Sequence, residues 1–128
     1  MLIKIGSMAL RVCVLIELIL GILLWASLIP NSIIPVHMLI GLLAMISLWL
    51  LGIGTITAHK GGNLGLGIAA IIVGLLLPIV GLGQLSFLYF TVSTHWIIQV
   101  IHLLIGLSAI SLGEVIAGRY RRANKVAA

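Results

Sequence analysis

Four long apolar stretches follow one another along the chain, at about residues 8–29, 33–58, 63–83 and 93–117. Each is close to or above the ~20 residues that a helix needs to cross the hydrocarbon of a bilayer. Between them lie Pro30-Asn31-Ser32, then Lys60-Gly61-Gly62-Asn63, then a longer connection from Gln84 to Thr94. Pro, Gly and Asn at these places are the residues that end helices and turn the chain. The pattern predicts an all-α membrane protein, with four transmembrane helices running up-down-up-down in a single domain over residues 1–128.

Charge orients this bundle. Lys4, Arg11, Lys60 and the run from Arg119 to Lys125 fall at one end, and the two connections at the other end carry no charged residue. The positive-inside rule then predicts cytoplasmic termini in a bacterial inner membrane, with Trp25, Tyr89 and Trp96 as an outer aromatic belt and Trp49 nearer the inner face. The first stretch is too long and too interrupted by Glu17 for a secretory signal, so it is expected to stay as a span. Composition agrees: 62% hydrophobic and 7% charged residues cannot coat a soluble globule. The net charge of +5 is spent at helix ends and in the tail, which points to lipid headgroups and excludes a nucleic-acid face. Cys13 is the single cysteine, so no intrachain disulfide and no thiolate metal cluster can form.

One word occurs twice. His37-Met-Leu-Ile-Gly-Leu42 and His102-Leu-Leu-Ile-Gly-Leu107 share H-x-L-I-G-L, and Ala44 matches Ala109 beyond it. Upstream, the stretch from Ile16 to Leu24 echoes Ala69 to Leu77 around Gly21 and Gly74. The chain reads as two duplicated helical hairpins. Helices two and four then run in the same direction as diagonal partners, and both imidazoles are expected at one depth, in the outer half, aimed at the bundle axis.

Ionisable side chains are costly in hydrocarbon, so a repeated histidine asks for a purpose. Two facing imidazoles, with no thiolate and no carboxylate expected beside them, are the axial donors that a six-coordinate heme iron needs. Gly41 and Ala44 below His37, and Gly106 and Ala109 below His102, would give a porphyrin room; Gly113 continues that stripe. Cys13, Glu17 and Gly21 on helix one and Gly67, Ala70, Gly74 and Gly81 on helix three offer narrow faces too. Small residues at these spacings are equally the ordinary packing device of membrane helices, and an intramembrane histidine can simply donate to its neighbour. His95 and Gln99, on the face of His102, could gate protons or hold a propionate, or be interfacial polar residues. Glu17 is expected to relay protons or to hydrogen-bond between helices, Arg11 and Glu114 to form a structural ion pair, and His59 to be exposed. Zinc or non-heme iron lacks third and fourth ligands at this depth.

The paired hairpins, the turn from Pro30 to Pro35 into His37-Met-Leu-Ile-Gly-Leu, and the later His102-Leu-Leu-Ile-Gly-Leu together resemble the four-helix bundles of membrane b-type cytochromes. The likeness is greatest to one half of the heme A synthase family, in which each half-bundle holds a heme between histidines. This chain departs from that family in having one bundle and uncharged outer loops. The resemblance implies one heme b ligated by His37 and His102, with one-electron transfer as its use. A quinone pool, another redox subunit or a second copy of the chain are the expected partners. Other classes stay open: chlorophyll-type pigment binding, a structural subunit of a larger complex, and a small transporter. The chain also looks like small bacterial four-span proteins, a likeness that supplies no activity.

Overall fold

Four helices form where the apolar stretches lie, and the structure, a computed structural model, describes residues 1–89 and 91–125. Phe90, inside the third connection, and residues 126–128 lie outside the described residues. Helix α1 covers Leu2–Trp25, α2 Ile34–Thr57 after a 3-10 turn at Asn31–Ile33, α3 Leu64–Gly83 and α4 His95–Lys125; no strand occurs among the described residues. All four are long and apolar enough to cross a membrane.

The helix ends have local causes. Helix α1 begins at residue 2 and α4 continues to residue 125, past the expected 8 and 117. Apolar runs mark only the hydrocarbon zone, whereas a helix's own hydrogen bonds carry it on into the polar zone. Arg122 and Lys125 in the last turn of α4 complement the negative end of its dipole. At the other end of α1, Ser27 takes a left-handed conformation with φ of 55°. The Leu28 N–H donates to the Leu23 carbonyl at 2.9 Å and the Ser27 N–H to that of Leu24 at 3.0 Å, a Schellman closure that stops α1 at Trp25, earlier than the expected 29. Helix α3 starts where the Asn63 side chain accepts from the Leu66 N–H at 2.8 Å. Pro78 removes one donor inside α3, yet the helix runs on to Gly83.

In the bundle α2 lies along both α1 and α3, α4 closes the ring against α3 and α1, and α2 and α4 are diagonal. The α2–α3 crossing is made by glycine: a Cβ on Gly52 would come 2.9 Å from the Gly67 carbonyl oxygen, and one on Gly67 would come 2.8 Å from that of Gly52. Next along this seam, Trp49 lays its indole on Gly74 and donates to the Ile71 carbonyl at 3.1 Å. Trp49 is therefore a half-buried packing residue of the α2–α3 seam, because a glycine opposite it leaves room for the whole ring. Trp25, Tyr89 and Trp96 are exposed at the uncharged end.

Burial is uneven along the bundle axis. The core is Ile3 and Leu10 of α1, Ala44, Leu48 and Leu51 of α2, Ala70 of α3, and Ala109, Ile116 and Ala117 of α4. Apart from Ala44, Ala70 and Ala109 near mid-bundle, this core lies toward the basic end. Toward the uncharged end, no residue of 13–25 in α1 or of 34–43 in α2 is buried, and Ile98 alone is buried in 95–108 of α4. Helix α3 keeps Val80 and Gly83 buried there. Across the sealed half, the Arg11 guanidinium donates to both carboxylate oxygens of Glu114 at 2.6 and 2.8 Å, the ion pair expected between the first and last helices.

Candidate functional site

His37 projects from the first turn of α2 and His102 from the second turn of α4, at the loosely packed end. Their ring centres are 6.3 Å apart and their planes stand at 73°. Since α2 and α4 are diagonal and run the same way, this contact places the two imidazoles at one depth across the bundle axis.

Each ring turns its Cε1 edge toward a glycine of a flanking helix. A Cβ on Gly21 of α1 would lie 3.5 Å from His37 Cε1, and one on Gly81 of α3 would lie 3.0 Å from His102 Cε1. The counterpart of Gly21 in the second hairpin is thus Gly81 and not Gly74, which Trp49 covers. Gly81 lies seven residues, or two turns, beyond Gly74 along α3.

A carboxyl does stand beside the pair, which corrects the expectation of none. Glu17 Oε2 lies 3.0 Å from His37 Nδ1, both side chains being 17% exposed. Gly41 makes the space for it, since a Cβ there would come 3.4 Å from Oε2. The distance is that of an ion pair, but the ring is turned so that Nδ1 does not meet the oxygen along its N–H direction. His37 Nδ1 and Glu17 Oε1 are both sealed without a hydrogen-bond partner.

Around His102 the setting differs. Its Nδ1 is sealed and unpartnered, and a Cβ on Gly106 would meet nothing within 4 Å. In neither ring is Nε2 among the sealed, unpartnered atoms. Ala44 and Ala109 are 2% and 0% exposed in the packed core, and Gly113 packs against Leu10. Gly67, Ala70 and Gly74 are taken up by the α2–α3 seam. His95 packs on Tyr89 with ring centres 4.7 Å apart and planes tilted by 41°, its Nδ1 sealed; Gln99 is half-buried one turn further on. His59 is exposed in the α2–α3 connection. Among the described residues, no three His, Cys, Asp or Glu side chains gather so as to hold a metal ion by themselves.

Helical periodicity does not pair Glu17 with His37, although the sequence holds a signal for it. Two antiparallel helices bring together residues equally far from their turn, and positions 17 and 37 lie ten residues either side of Ser27. No family model, curated protein or solved structure matches the chain, so its own residues and their geometry carry the functional reading.

Proposed function

We propose that this chain is a membrane heme protein in which His37 and His102 supply the two axial nitrogens of one heme b. The observation that carries this reading is the pair itself, with ring centres 6.3 Å apart on diagonal helices. A metal bonded in line to two imidazole nitrogens at about 2 Å keeps the ring centres roughly 6 Å apart. Among the described residues no three His, Cys, Asp or Glu side chains gather to hold a metal ion by themselves, and a macrocycle would supply the donors that two histidines lack. Both histidines stand in the loosely packed half, with Nε2 of each outside the set of sealed, unpartnered atoms. A porphyrin would lie in that half, where few residues are buried.

Heme b held by His37 and His102 would supply one-electron transfer in preference to oxygen binding. The basic end lies in the cytoplasm of a bacterial cell and the heme in the outer half of its inner membrane, as the distribution of Lys and Arg favours. A quinone, a redox subunit or a second copy exchanges electrons with it.

The test is the absorption spectrum of the detergent-purified protein with hemin, oxidised and dithionite-reduced, beside His37→Ala and His102→Ala. Sharp reduced α and β bands that either variant abolishes or converts to a high-spin form are expected. A protein that takes up no hemin sinks the proposal, and a chlorophyll-type spectrum in the protein as purified would replace it with pigment binding.

A further inference from the structure

The two halves of the histidine pair are built alike except at one place. On α1, Glu17 stands four residues before Gly21, which faces His37; on α3, Leu77 stands four residues before Gly81, which faces His102. Below His37, the space over Gly41 is filled by the Glu17 carboxyl; below His102, the space over Gly106 is open. Neither Lys nor Arg competes for Glu17: Arg11 is held by both oxygens of Glu114, and α3 contains no titratable residue.

We propose that Glu17 is a positioning residue that holds the proton of His37 on Nδ1, reserving Nε2 as the donor nitrogen, so that His37 is the fixed ligand and His102 the exchangeable one. The ranking of the two ligands rests on the heme reading; the positioning of His37 does not. A neutral imidazole has one N–H, and the acceptor placed beside one nitrogen decides which of the two carries it. Partners of this kind orient metal-bound histidines, and their loss typically lowers metal affinity about 10- to 100-fold. His102 has no such partner for its sealed Nδ1, and the open space over Gly106 gives its ring somewhere to swing when it leaves the metal.

The experiment is 15N NMR of the histidine side chains in the heme-free, detergent-solubilised protein, for wild type, Glu17→Gln and Glu17→Leu. The expected result is a His37 Nδ1–H tautomer that Glu17→Gln preserves through its amide carbonyl and Glu17→Leu abolishes, with His102 unchanged in all three. A His37 proton on Nε2 in wild type, or a tautomer indifferent to Glu17→Leu, overturns the positioning role. Circular dichroism of each variant separates this from loss of fold, and Glu17→Gln retains the shape of the side chain. With hemin, His102→Ala is expected to keep a five-coordinate heme within about tenfold of wild-type affinity while His37→Ala and Glu17→Leu fall further. Equal affinities of the two histidine variants overturn the ranking alone. Failure of wild type to take up hemin removes the ranking together with the heme reading and leaves the tautomer result standing.

Discussion

At Gly21 and Gly81 the absence of a side chain serves the same end with different tolerance. An added methyl at Gly21 would meet the His37 ring at an ordinary contact of 3.5 Å, whereas at Gly81 it would press on His102 at 3.0 Å. Overpacking of a fitted site costs roughly 1–3 kcal/mol, which is about 5- to 150-fold in a dissociation constant. Gly21→Ala is therefore expected to leave hemin affinity close to wild type, and Gly81→Val to weaken it by tenfold or more, as read by hemin titration; equal affinities would mean that the Gly81 notch does not set the ring. The histidines themselves are legible in the sequence because each stands in the same six-residue word. Glu17 is legible as an unusual residue but not as a partner, since helical periodicity relates residues of one helix and says nothing across a turn.

Between elements, register does the work that periodicity cannot. Trp49 meets Gly74 at equal distance from the Gly61-Gly62 turn, as Glu17 meets His37 about Ser27, whereas Gly52 meets Gly67 about one helical turn off that register. Counting outward from each turn recovers the Trp49–Gly74 and Glu17–His37 contacts, but only once the turn is fixed, and the left-handed Ser27 that fixes the first one has no glycine to announce it. The Arg11–Glu114 pair is legible by another route: each is a charge set into an apolar span near the basic end, and neither can stand there unpaired. This pair joins the first and last helices, where the ring of α1 to α4 closes. Glu114→Gln, which strips the guanidinium of its carboxylate, is expected to lower the melting temperature in detergent. The reversed pair, Arg11→Glu with Glu114→Arg, is expected to regain most of the loss, because the two oxygens and two nitrogens can meet from either helix. A double variant no better than the single ones would show that the pair contributes nothing to closure.

On the scale of the whole molecule, the four-helix architecture follows from hydropathy and breakers, but the contrast between its halves does not. Both halves are built from apolar spans, and what differs is the shape of the facing residues. In the basic half Leu51 packs over Gly6 and Gly113, Leu10 over Gly113 and Ile3 over Gly54, in a core that also holds Leu48 and Ile116. In the other half the facing positions hold His37, His102, Glu17 and the open Gly106, whose polar tips cannot interdigitate as a dry core does. Local opening should follow this division, since few buried contacts hold segments 13–25, 34–43 and 95–108. Amide hydrogen exchange followed by mass spectrometry is expected to run faster in those three segments than in 2–12, 44–57 and 109–117 of the same helices. Hemin is expected to slow the fast segments and leave the slow ones as they were, because a ligand stabilises only the openings that would expose it. Uniform protection without hemin would remove the two-part division. Protection by hemin confined to helix surfaces away from His37 and His102 would place the ligand outside the bundle.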